Sequence, residues 1–186
     1  MKTSSLLVIL ILCLGLTLKA QPTIGLLHSE QGQQNGYVLF APIASTSIIL
    51  NIDKEGRKVN SWQSSYKPGK AAYLLPDGSL LRSGNYGNKY FRTPGNGGII
   101  EKYDWEGKLT WSYLISDSLQ SQHHDIRPLP NGNILAVVCE IKTREQAINA
   151  GRLPERTDKM VISEKIVEIK PEGKSARIVW EWKVWD

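Results

Sequence analysis

Cysteine is almost absent: the 186 residues contain two, Cys13 and Cys139. Cys13 falls in an apolar leader, so export leaves Cys139 alone and no intrachain disulfide can form, even in an oxidising compartment. Cys139 sits in the strand-like stretch ILAVVCE and reads as a small buried side chain rather than a reactive thiol. Runs of Lys or Arg are also missing. The formal charge of +5 falls to +3 when Lys2 and Lys19 leave with the leader, a balance too mild to argue for nucleic acid. No Gly-rich phosphate loop, Gly-x-Ser-x-Gly elbow or Cys-x-x-Cys pair is present, and no cofactor is expected. The longest apolar run, Leu6 to Leu18, is short for a membrane span.

That run follows Lys2 and ends near Ala20, which reads as a signal peptide over residues 1–20. Leu12 before Cys13 disfavours a lipoprotein site, so no membrane anchor is expected and the mature chain, 21–186, is expected to be periplasmic or secreted.

What the chain has in quantity is hairpins. YLLPDGSLL at 73–81 returns as RPLPNGNIL at 127–135, with Gly78 and Gly132 54 residues apart. Each closes a Pro-Asp/Asn-Gly turn, where Pro presets φ and Gly accepts the positive φ of a tight hairpin. A second hairpin alternates with the first, turning at Gly56, Gly107 and Gly173 and running to Trp62, Trp111 and Trp180. Two alternating hairpins per roughly 50 residues make a four-stranded unit, the blade of a β-propeller. The expected fold is all-β, with two to three blades; an ordinary β-sandwich is the alternative. The tryptophans at matching hairpin ends favour packing between blades over carbohydrate stacking. The aromatic ending VWEWKVWD would leave an open edge, compatible with a homo-oligomer or with further chain.

Two stretches interrupt the repeat. NYGNKYFRTPGNGG, between Gly84 and Gly98, reads as a surface loop. Between Glu140 and Ser163 lies an insertion in which Thr143 and Gln146 have capping-box spacing and Gly151 suits a left-handed stop, predicting a short helix at about 143–151.

His123, His124 and Asp125 open the second inner hairpin and include two of the chain's three histidines. On an innermost strand they would border a central channel, where propellers commonly bind small ligands. Regular alternation would send the two imidazoles to opposite faces, with Asp125 able to orient one of them. The 54-residue shift aligns them with Gly69, Lys70 and Ala71, so the turn repeats and the histidines do not. A channel lined by His124, His123 and Lys70 suits an anion of distributed charge. The competing reading is a histidine bonded to Asp125 for structural reasons alone. A metal at His123, His124 and Asp125 is disfavoured, because neighbouring side chains on a regular strand diverge.

The pieces GYVLFAP (36–42), ILNIDKEGRKVNSW (49–62), YLLPDGSLLRS (73–83), GGIIEKYDWEGKLTW (97–111), HHDIRPLPNGNILAV (123–137), EQAINAGRLP (145–154) and VWEWKVWD (179–186) together resemble the exported arylsulfotransferases. The likeness is to the amino-terminal part of that family, in whose members more propeller follows the last of these pieces. The resemblance implies a six-bladed propeller and transfer of a sulfuryl group from an aryl sulfate ester to a phenolic acceptor. No nucleotide sulfate donor takes part, and the transfer passes through a transient sulfohistidine. It also implies that His123, His124 and Asp125 line the channel, His124 foremost, with the sulfated histidine expected in a later blade. Two other readings are kept: a non-catalytic secreted propeller that binds a partner through its rim, and a quinone-cofactor propeller, which the lack of a cofactor site disfavours.

Overall fold

The computed structural model describes residues 28–185 except 29, 33, 54, 55 and 92–94, with the backbone only at 48–52. The leader read at 1–20 lies outside the described residues. Residues 36–186 form one compact unit, and the architecture below is that of this unit.

Among the described residues, eleven strands build three antiparallel sheets and one short α-helix follows the ninth strand. The first contains β1 (Val38–Phe40), β2 (Ser47–Ile52) and β3 (Lys58–Gln63), in that spatial order. The second contains β4 (Lys67–Leu74), β5 (Leu80–Asn85), β6 (Gly98–Tyr103) and β7 (Leu109–Leu114). The third contains β8 (Gln120–Pro128), β9 (Ile134–Thr143), β10 (Met160–Glu172) and β11 (Ser175–Lys183). Each strand pairs with the next along the chain, as alternating hairpins dictate. Two sheets thus have the four strands expected, and the first has three among the described residues. β4 begins at Lys67, six residues before the apolar stretch that marks it in sequence.

The inner turns are built alike. Leu75 N–H donates to the Ser79 carbonyl and Gly78 N–H to that of Leu75; Leu129 and Gly132 repeat both bonds with Asn133 and Leu129. Gly78 and Gly132 have φ of +80° and +84°, which a residue with a Cβ adopts only under strain.

Packing follows from alternation along β5. Leu80 faces the first sheet, in a cluster with Trp62 and Tyr103, while Leu81 faces the third, in a cluster with Ile100, Trp111, Ile126, Val138 and Val167. The middle sheet therefore buries both of its faces, and the sandwich alternative, one core between two sheets, does not describe the unit. The tryptophans lock neighbouring sheets by a repeated bond. Trp62 Nε1–H donates to the Asp104 carbonyl at 2.5 Å, and Trp111 Nε1–H to the Ser175 carbonyl at 3.0 Å, each reaching the outer turn of the next sheet. Trp180, the corresponding residue of the third sheet, is half exposed.

The insertion after β9 holds helix α1 (Arg144–Asn149). Thr143 Oγ1 accepts from Gln146 N–H while Gln146 Oε1 accepts from Thr143 N–H, which is a complete capping box. Gly151 follows at φ +95°. No helix among the described residues is long and apolar enough to cross a membrane.

Candidate functional site around the imidazole pair

The histidines lie where β8 leaves its regular register. β8 pairs with β9 up to Gln122 and resumes at Ile126, so His123, His124 and Asp125 form a bulge. A bulge turns side chains away from strict alternation. The two imidazoles therefore do not diverge as the regular-strand reading required: their ring centroids are 4.4 Å apart, with planes inclined by 43°. Both are partly buried.

β4 breaks register at the matching point, between Pro68 and Ala72. The bulged residues are Gly69, Lys70 and Ala71, the positions reached by the 54-residue shift. Lys70 has φ +84°, the sole positive φ at a non-glycine among the described residues, and its side chain is exposed. Ser83 on β5 ties the two bulges together. Its hydroxyl accepts from Ala71 N–H at 3.1 Å and donates to the His124 carbonyl at 2.9 Å. Gly69 leaves room for that hydroxyl, since a Cβ there would lie 2.7 Å from Ser83 Oγ.

Gly95 and Gly97, just before β6, lie against the pair. A Cβ on Gly95 would stand 2.6 Å from His124 Cδ2 and 3.1 Å from His123 Nε2. One on Gly97 would stand 2.1 Å from both the His123 carbonyl oxygen and Gln122 Oε1. Gln122 fixes this contact: its Oε1 accepts from Gly98 N–H at 2.9 Å, and its Nε2–H donates to the Asp125 carbonyl at 3.3 Å. Gly95 and Gly97 are thus a steric requirement of the imidazole pair, which composition alone does not reveal.

Asp125 does not act as expected. Its side chain is exposed, and among the described residues its carboxylate bonds to neither imidazole. A carboxylate reaches the pair from another strand instead, with Glu164 Oε1 3.6 Å from His123 Nδ1. Glu164 on β10 lies directly opposite Cys139 on β9, which in turn lies opposite Ser121 on β8. Cys139 is buried, and burial first, with the Glu164 charge second, pushes its thiol up to about 11. His123, Cys139 and Glu164 line one cleft of about 550 Å³. Their convergence depends on strand register, and no sequence motif announces it.

Beneath the β4 bulge, Arg82 and Glu101 form a buried ion pair at 2.9 Å. Ser64 Oγ and Tyr103 OH also donate to the carboxylate, and Arg82 donates to the Tyr66 and Lys67 carbonyls. With its partners satisfied the pair anchors the start of β4; burial alone lowers the guanidinium's affinity for its proton, and Glu101 opposes this. Burial likewise pushes the Tyr103 hydroxyl up to about 12. A larger cleft, about 920 Å³, lies between the two inner turns and is lined by Tyr73, Leu75, Trp111, Arg127 and Leu129. No histidine lines it.

The structure thus brings His123 and His124 together, sets Lys70 at the equivalent bulge of a packed neighbouring strand, and leaves Asp125 at the surface. No curated protein matches the chain. The sequence model of the arylsulfotransferase (ASST) family matches residues 28–186, nearly all of the chain that carries these sheets. Repeated hairpins, paired bulges and imidazoles thus occur in a chain that belongs to the arylsulfotransferase family.

Proposed function

We propose that the protein takes part in sulfuryl transfer from an aryl sulfate to a phenol, and that the imidazole pair at the β8 bulge binds the moving group. The observation that carries the proposal is the bulge. It gathers two ring donors under a glycine loop in a chain of this family, although a regular strand would separate them. In this reading the three sheets are successive propeller blades, β4 and β8 are their innermost strands, and the leader exports the protein to the periplasm or beyond.

The chemistry needs fixed donors. In a two-step transfer an imidazole nitrogen attacks sulfur as the sulfur–oxygen bond to the aryl group breaks and the phenolate leaves. The acceptor phenol then attacks sulfur, the sulfur–nitrogen bond breaks, and the phenol's proton goes to a base. Through both steps the three sulfuryl oxygens carry negative charge, and donors already in place stabilise it without reorganising. His124, then His123, fill that donor role, and Lys70 adds a cation from the neighbouring bulge. The sulfated nucleophile itself is assigned to no residue of this chain.

Incubation of the full-length protein with 4-nitrophenyl sulfate and phenol tests the reading. Nitrophenol release is expected, and His124→Ala should lower kcat/KM by about 100-fold or more, the scale of removing one transition-state donor. Unchanged turnover in a folded His124→Ala protein would remove this residue from the site.

A further inference from the structure

We propose that His123, Cys139 and Glu164 form a zinc site on the third sheet, which engages His123 through Nδ1 and leaves its Nε2 on the side of the imidazole pair. The three residues come from adjacent strands, β8, β9 and β10, and the bulge swings His123 toward the directly opposed pair Cys139 and Glu164. One ligand atom from each lies within 4.8 Å of the others, and His123 Nδ1 is 3.6 Å from Glu164 Oε1. Zinc bonds of about 2.0–2.3 Å place tetrahedral ligands roughly 3.3–3.8 Å apart, so the set has to close by ~1 Å at its widest.

Ligand chemistry selects the ion. A mixed nitrogen, sulfur and oxygen set favours Zn²⁺ over the hard cations Mg²⁺ and Ca²⁺, which take oxygen alone. Thiolate and carboxylate together carry two negative charges, which neutralise the dication and offset the cost of placing it beside a buried sulfur. Burial is graded as an entry path requires. Cys139 is enclosed, the His123 side chain is 17% exposed, and that of Glu164 is 53% exposed. All three border the 550 Å³ cleft bounded by Arg152, Val184 and Trp185, so the fourth position faces space for a water or a small anion. Val184 N–H donates to the Glu164 carbonyl at 3.1 Å and fixes that strand beside the site.

Ligation consumes no redox partner: Cys139 gives its proton to solvent and a sulfur–zinc bond forms. Bonding through Nδ1 would fix the proton of His123 on Nε2, the nitrogen that faces Gly95. Only this consequence touches the sulfuryl reading; the site itself stands without it.

Cobalt is the probe, because a cobalt–thiolate bond absorbs in the near ultraviolet and four-coordinate cobalt absorbs strongly in the visible. The chelator-treated full chain, titrated with Co²⁺, is expected to bind one equivalent with both features and to lose them when Zn²⁺ is added. Cys139→Ser should abolish the charge-transfer band. Glu164→Gln, at a half-exposed position with little effect on folding, should weaken binding by about tenfold or more. Absence of the charge-transfer band in the unaltered chain, or equal cobalt affinity in folded Glu164→Gln, would overturn the proposal.

Discussion

β4 and β8 leave register at the same point of their sheets, yet one bulge carries Gly69, Lys70 and Ala71 and the other His123, His124 and Asp125. The backbone irregularity is common to both inner hairpins. The imidazoles occur in only one of the two bulges, and it is to them that we assign the proposed function. Ser83 makes the relation physical, since one hydroxyl bonds to both bulges. In β4 the bulge needs Gly69 to make room for that hydroxyl; in β8 the same irregularity turns two rings toward each other. A single structural device thus serves packing in one sheet and brings two imidazoles together in the next.

The largest effect is expected at Gly97, which packs against the β8 bulge. In Gly97→Ala the new methyl meets a backbone carbonyl and a fixed amide at 2.1 Å, so the loop must lift off the imidazoles. Urea unfolding should show a loss of about 1–3 kcal/mol, the range for overpacking, together with weaker binding of 4-nitrophenyl sulfate. Unchanged stability and binding would mean that the loop does not hold the pair.

A smaller effect is expected at the β4 bulge. Lys70→Gly relieves a positive φ at an exposed side chain and should raise stability by ~0.5–1 kcal/mol, while the extra freedom of glycine in the unfolded chain offsets part of the gain. The lost cation should weaken aryl sulfate binding by only ~1.4–5-fold, matching about 0.2–1 kcal/mol for an exposed charge. A stability gain with no change in affinity would make Lys70 a purely structural feature of its bulge.

Much of the fold was legible because it is local. Pro-Asp/Asn-Gly turns set the hairpins, and Thr143 with Gln146 announces the helix cap three residues apart. Trp62 and Trp111 marked the sheet-to-sheet contacts by their matching hairpin ends. The site was legible in its residues but not in its geometry. Gly69, aligned with His123, was a signal for a bulge, since glycine inside a strand often marks one. Regular alternation, which takes no account of a bulge, separates two rings that the structure joins. Cys139 and Glu164 lie far apart in sequence and meet through cross-strand register, which single-strand patterns do not encode. Asp125 followed the histidines in sequence, but its side chain left them for solvent.

Imidazole ¹⁵N chemical shifts of His123 and His124, followed as 4-nitrophenyl sulfate is added to the labelled chain, test the central assignment most directly. Saturable shifts at both rings, largest at His124 and lost in His124→Ala, are the expected result. Binding that leaves both rings unmoved and instead perturbs Tyr73 and Arg127 in the cleft between the inner turns would contradict it.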